Sequence, residues 1–328
     1  MKDLDVFKSA FCPVCSTASS DAKPLYRIRY GTNEVLKKLG YEGRIPKVML
    51  VRCPSCLHHF SDQVLASDVL ENYYSNDSAF YDPELQDTGA PVNRNPMKTA
   101  HIVSLMDKYG SRGNILEIGC GKGILLSDLR EKGWSSFGVE PSPFASEYAR
   151  SKLDLNVVNG YFDNSTFAEV AFDVIVLNDV FEHLSETKDL LRLIYSRLRT
   201  GGILIIGTGN ILSTNARLSR STWEYFSSWE HISFFSKASA RAMLVRSSFN
   251  LIEIKKVCHK DSVFTNVLRL LENVFVRRPL NIILPNAMEK FPSIRNWKFF
   301  KGRSSGDTGV LTSHLAFDHM FIVGEKKD

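Results

Sequence analysis

A chain of 328 residues with 44% hydrophobic and 23% charged residues can bury a sizeable core, which excludes a disordered or fibrous protein. Its formal net charge of +5 is mild, and no block of Lys and Arg stands out as a nucleic-acid arm. No run approaches the roughly 20 apolar residues of a membrane span, and Met1 to Ala10 has no apolar centre, so a cytoplasmic location is expected.

The first elements are two matching cysteine pairs, Cys12-Pro-Val-Cys15 and Cys53-Pro-Ser-Cys56. A C-P-x-C bend places two thiolates on one tight turn, and two such turns complete a tetrahedral Cys₄ site for structural Zn²⁺. His58 and His59 are alternative ligands, but four cysteines already close the site. A redox pair is the competing interpretation; it calls for an adjoining βαβ unit that is not visible here. Lys47 to Arg52 has the pattern of a strand leading into the second bend. A Tyr-rich stretch follows, with Tyr73, Tyr74 and Tyr81, and closes a module over residues 1 to 90.

From 91 to 258, short apolar strands alternate with amphipathic helices. A helix is expected over Met97 to Tyr109, with Ile102, Leu105 and Met106 on one stripe. Asn114 to Ile118 is a strand that runs straight into glycines, and Ile124 to Lys132 is the next helix. Ser136 to Val139, a helix over Pro143 to Lys152, and Leu155 to Val158 come next. Phe172 to Leu177 is unbroken and apolar, as a strand covered on both faces should be. Ser185 is the expected N-cap of a helix to Leu198, ended by Gly201-Gly202, before a fifth strand at Ile203 to Ile206. Ser236 caps a helix to about Arg246, and Leu251 to Val257 is a sixth strand. The last region, 259 to 328, holds an insertion and a final strand at His319 to Val323. Within the insertion, Val263 to Phe275 has helical spacing, and Trp297, Phe299 and Phe300 suit either core packing or a lid. The fold class expected is α/β: a Rossmann-like sheet with helices on both faces, behind a small cysteine module.

Glu117-Ile-Gly-Cys-Gly-Lys-Gly123 carries the first chemical signal. Gly119, Gly121 and Gly123 permit a tight turn and a close ligand approach after a strand. Glu140 ends the following strand, where a carboxylate can accept from both ribose hydroxyls. A dinucleotide site is disfavoured, because G-x-G-x-G lacks the spacing of the pyrophosphate loop.

With EIGCGKG, FGVEPS, FDVIVLNDVFEHL and LRTGGILIIGTGN in place, the chain resembles the class I S-adenosylmethionine-dependent methyltransferase family, in a branch with an N-terminal CxxC pair-of-pairs. The resemblance covers roughly Asn114 to Val257 and the last strand. It implies a seven-stranded sheet whose antiparallel last strand lies between the fifth and sixth. It further implies that Gly119, Gly121 and Gly123 pass the methionine part of S-adenosylmethionine, that Glu117 lies near its amino group, and that Glu140 holds its ribose. By the same resemblance Tyr161 and Phe162 flank the adenine, Asn178 faces the methionine moiety, and Asp163 sits slightly late for the adenine amine.

A sulfonium methyl is already electrophilic, so a general base is needed only for an acceptor protonated at neutral pH. His183, His231 and Glu182 are the candidates. Each has a structural alternative: a histidine bonded to backbone, or an acid that shapes a pocket. The expected acceptor is a small molecule such as a sugar or glycan precursor. RNA and a non-catalytic, cofactor-binding scaffold are the alternatives, the first opposed by the small charge excess and the second by the intact glycine loop.

Overall fold

A computed structural model describes residues 6–28, 41, 46–66, 69, 96–110, 112–226, 229–257 and 318–327. The Tyr73, Tyr74 and Tyr81 stretch and the insertion from 259 to 314 lie outside the described residues.

The cysteine module supplies β1 (Phe7–Ser9), β2 (Lys23–Arg27), β3 (Met49–Arg52), β4 (His59–Ser61) and β5 (Gln63–Leu65). The second region begins with α1 (Pro96–Tyr109), β6 (Asn114–Ile118), α2 (Ile124–Glu131), β7 (Ser135–Glu140), α3 (Pro143–Leu153) and β8 (Asn156–Asn159). It continues with β9 (Phe172–Asn178), α4 (Lys188–Arg197), β10 (Leu198–Gly209), α5 (Thr214–Ser219), β11 (Ser233–Phe234), α6 (Lys237–Arg246), β12 (Phe249–Val257) and β13 (His319–Lys326).

Seven strands form one sheet in the order β12-β13-β10-β9-β6-β7-β8. All neighbours are parallel except β13, which runs antiparallel between β10 and β12. This is the expected order, with the last strand between the fifth and sixth. Val174, Ile175, Val176 and Leu177 of β9 are all 0% exposed, the mark of a central strand covered on both faces. Each such burial contributes about 1.5–3 kcal/mol. No helix among the described residues is long and apolar enough to cross a membrane.

Local chemistry sets most boundaries. Ser142 caps α3 by accepting from the Ala145 N–H at 3.1 Å, with Pro143 in the first turn. Ser236 and Ser239 form a reciprocal capping box on α6. Two expectations shift. The N-cap of α4 is Thr187, not Ser185. The Thr187 N–H and hydroxyl both donate to the Pro13 carbonyl, at 3.1 and 2.8 Å, so a contact from the first cysteine bend starts this helix. The fifth strand also begins earlier than Ile203. Strand geometry starts at Leu198 and passes through Gly201 at φ 73°, with a register shift before Ile203.

The cysteine module shares a core with the large sheet. Cys12, Cys53, Cys56 and Phe60 belong to the same buried cluster as Leu177, Phe181, Ile206 and Phe235. β11, which follows the loop carrying His231, is an edge strand of the module's own sheet, in the order β11-β4-β3-β2.

Candidate functional site

The change of direction in strand order lies at β6, between β7 on one side and β9 on the other, which opens a crevice at the strands' carboxyl ends. The glycine loop sits there. Gly119, Gly121 and Gly123 have φ of 73°, 53° and 75°, a region costly to residues with a Cβ. A Cβ on Gly119 would meet Val180 Cγ2 at 2.6 Å, and one on Gly123 would meet Leu155 Cδ1 at 2.5 Å. Gly119 and Gly123 are thus favoured by packing as well as by backbone conformation, and Gly121 by backbone conformation.

Glu140 fastens this loop. Its Oε2 accepts from the Gly121 N–H at 2.8 Å and its Oε1 from the Ser142 N–H at 2.9 Å. Glu117 is 6% exposed, and burial, then the charge of Glu140, push its carboxyl well above the usual range. Its Oε2 and the Oδ1 of Asn178 find no donor among the described residues. Buried oxygens left this way suit a ligand that brings its own donors, and the ammonium of an amino-acid moiety is one.

The expected adenine neighbours are less enclosed. Tyr161 is 55% exposed. Phe162 is half-buried beneath the Arg197 guanidinium, 5.9 Å from ring centroid to carbon. Asp163 uses one oxygen to accept from Ser165 and Thr166 in a local turn, which holds its carboxyl down to about 2.

Beyond β9 lies a polar cluster that joins the three acid–base candidates. Glu182 is 0% exposed and accepts from the Tyr225 hydroxyl at 2.5 Å and the Thr208 hydroxyl at 3.0 Å. Burial and the nearby Asp179 raise its carboxyl. The rings of His183 and His231 meet edge to face, 4.9 Å between centroids. His231 Nδ1 lies 2.7 Å from the Tyr225 carbonyl oxygen. A carbonyl only accepts, so Nδ1 carries the proton and Nε2 of the neutral ring keeps its lone pair. His183 is held neutral: burial, then the charge of His231, lower it to about 3, while the backbones of Glu230 and Asp179 pull weakly the other way.

Lys98, Asp179, Tyr225 and Thr208 were not legible as site residues. Lys98 forms an ion pair with Asp179, a residue held at φ 55° just past the end of β9. No spacing rule links α1 to that turn. Tyr225 sits in an aromatic loop that reads as packing.

The buried neutral state of His183 has a consequence for stability. Its ordinary value is 6.5 and its folded value about 3, so the unfolded chain takes up a proton that the native protein refuses. Its contribution is complete above about 6.5 and is lost as pH falls toward 3, at about 1.4 kcal/mol per pH unit. Urea unfolding of the wild type and His183→Gln from pH 7.5 to 5 should show a shallower acid loss in the variant; parallel curves would contradict this.

Two groups of described residues present converging metal-ligand atoms. The four cysteine sulfurs lie within 4.8 Å of one another, with Cys12 to Cys56 and Cys15 to Cys53 both 3.4 Å apart. A tetrahedral ion bonded at about 2.3 Å needs sulfur pairs roughly 3.8 Å apart, so this set fits zinc. All described cysteines are free thiols. The second group is Glu182, His183 and His231. There both Glu182 oxygens are already engaged by hydroxyls, which disfavours ligation.

The methyltransferase domain profile matches residues 93–254. The chain is 34% identical over 101 residues to the mitochondrial ubiquinone biosynthesis O-methyltransferase of Schizosaccharomyces pombe, covering 29% of this chain and 37% of that protein. It is 32% identical over 120 residues to the ubiquinone biosynthesis O-methyltransferase of Azorhizobium caulinodans, covering 35% and 47%. The chain thus spans less than half the length of these two curated relatives. A solved magnesium protoporphyrin IX methyltransferase from Synechocystis PCC 6803 aligns at 11% identity and a TM-score of 0.49, over 80% of this chain and 100% of the other. The profile match falls on the stretch whose seven strands take the order described above, with β13 reversed. Residues 93–254 of this chain match a methyltransferase domain, and the sheet they build has the strand order implied by the resemblance to the class I, S-adenosylmethionine-dependent family.

Proposed function

We propose that this chain transfers a methyl group from S-adenosylmethionine to a hydroxyl of a small-molecule acceptor. The observation that carries the acceptor chemistry is His231, whose Nδ1 donates to the Tyr225 carbonyl and whose Nε2 is thereby left as a proton acceptor. A hydroxyl needs such a base at neutral pH; a neutral amine does not. The relatives named as O-methyltransferases support the same class. Within it, a sugar or glycan precursor is the acceptor suggested by the sequence resemblance.

When bound, the cofactor supplies an electrophilic methyl group. The chain's own residues do the rest. The glycine loop and Glu140 orient the ribose, and Glu117 and Asn178 receive the ammonium. Tyr161 and Phe162 would flank the adenine, as the family resemblance implies. His231 Nε2 takes the acceptor proton while its Nδ1–H stays on the Tyr225 carbonyl, which steadies the imidazolium. Glu182, His183 and Tyr225 hold that geometry. Zinc on Cys12, Cys15, Cys53 and Cys56 is structural, since four thiolates leave no open position. The free cysteines suit a cytoplasmic setting.

Titration calorimetry with S-adenosylmethionine tests the cofactor half. Losing hydrogen bonds to a charged partner costs about 1.5–3 kcal/mol, so Glu140→Ala should bind roughly 10- to 150-fold more weakly. Equal affinity would remove the ribose assignment. A labelled-methyl assay against fractionated small metabolites and RNA tests the acceptor half. Label in RNA, with a steep salt dependence of binding, would replace the small-molecule reading.

A further inference from the structure

We propose that the four-cysteine centre is a clamp on the acceptor side of the site: each of its two bends grips one of the two segments that carry His183 and His231. Metal occupancy then sets the geometry of the histidine pair and leaves the cofactor crevice alone. The functional meaning of the clamp rests on the reading of the site given above; its mechanical part does not.

The first bend holds the His183 segment. The Pro13 carbonyl, between Cys12 and Cys15, accepts from both the N–H and the hydroxyl of Thr187, at 3.1 and 2.8 Å. Thr187 is 1% exposed and is the N-cap of α4, so the chain leaving His183 is fixed at its far end by the cysteine bend. The second bend holds the His231 segment. The Cys53 N–H donates to the His58 carbonyl at 2.8 Å, closing the turn that feeds β4. β4 pairs antiparallel with β11, Phe60 opposite Ser233 and His59 opposite Phe234. The Ser61 N–H donates to the Ile232 carbonyl at 2.9 Å, one residue from His231, and His58 Nε2 bonds the Ser233 hydroxyl at 3.0 Å.

The two gripped segments also touch. The Ile232 N–H donates to the Glu182 carbonyl at 2.8 Å. The loop is therefore closed as a ring: first bend, Thr187, the 182–187 segment, Ile232, β11, β4, second bend, and back through the sulfurs. Cys12 faces Cys56 and Cys15 faces Cys53, so ligation to one ion pulls both bends together crosswise. The cofactor side is held differently. Gly119 donates to the Val139 carbonyl and Gly121 to Glu140, both bonds lying between β6 and β7. Neither involves the cysteine bends.

The test compares the full zinc-loaded chain before and after a strong chelator, with metal content, hydrogen exchange and S-adenosylmethionine calorimetry as readouts. Exchange should rise roughly tenfold in peptides covering 182–187 and 229–235, as loss of about one hydrogen bond's net stability permits, while residues 137–141 stay protected and cofactor affinity is retained. A milder pair of variants, Thr187→Val and Ser233→Ala, keeps all four cysteines. With zinc bound, each should perturb the imidazole NMR signals of both histidines, including the one on the segment not altered. If chelation raises exchange evenly along the chain, the variants decide. Histidine signals that change only on the altered segment, or on neither, would overturn the clamp. Absence of cofactor binding in the wild type would instead defeat the methyltransferase reading and leave the exchange result standing.

Discussion

Methyl transfer by His231→Ala is expected to fall by about 10²- to 10⁴-fold in kcat, the range by which a positioned base contributes, with cofactor affinity unchanged. The expectation follows from one hydrogen bond. Because the Tyr225 carbonyl accepts from Nδ1–H at 2.7 Å, the neutral ring is the tautomer whose lone pair lies on Nε2. His183 has no such readiness. Its burial keeps it near 3, where it is too weak a base to take a proton from a hydroxyl. His183→Ala should therefore affect stability and acceptor KM more than kcat. Acceptors with more acidic hydroxyls should lose less activity in His231→Ala, since they depend less on a base. Equal loss across acceptors of different acidity would assign His231 to positioning alone.

The sequence offers both histidines as candidates without separating them, and the proposed difference between them comes from tertiary contacts. Glu182-His183 stands directly after a strand end, the place where a sequence reader looks for chemistry. What separates the two rings is which backbone each meets: His231 bonds the Tyr225 carbonyl, and His183 bonds the backbones of Glu230 and Asp179. Neither is written in local spacing. The sheet itself was legible because its strands are unbroken apolar runs and its helices carry Ser, Pro and Gly at their ends. The glycine loop and Glu140 were legible for a related reason: the turn needs positive φ, and the acid must end the adjacent strand.

What escaped was everything fixed by distant partners. Nothing in Ser233-Phe234 announces a strand, because its partner in β4 lies more than a hundred residues earlier. The same holds for Thr187, which starts α4 through Pro13, and for Lys98, which reaches Asp179 from α1. These contacts share a location. They join the cysteine module or α1 to the region after β9, so the proposed acceptor side is assembled by tertiary contacts and the proposed cofactor side by local sequence.

Glu117→Gln should separate stability from binding, moving them in opposite directions. In the native protein burial and Glu140 raise the Glu117 carboxyl well above its ordinary 4.5. The native state therefore holds a proton that the unfolded chain releases. Stability linked to this group is complete below about 4.5 and is lost as pH rises through the folded value. At pH 7.5 the wild type carries that cost, and glutamine, which has no proton to lose, does not. The ligand-free variant should melt higher than the wild type at pH 7.5, each kcal/mol appearing as about 2–4 °C, and the gap should close toward pH 4.5. Binding should go the other way. The Oε2 of Glu117 has no donor among the described residues, and a ligand ammonium supplies one. Removing the charge forfeits a charge-assisted bond of about 1.5–3 kcal/mol, so the variant should bind S-adenosylmethionine roughly 10- to 150-fold more weakly and gain less in Tm from it. A variant that is both less stable and equally good at binding would mean that Glu117 is a packing residue and that the ammonium lies elsewhere. The cost exists because the carboxyl is buried beside the charge of Glu140, which disfavours its ionised form until a cation binds there.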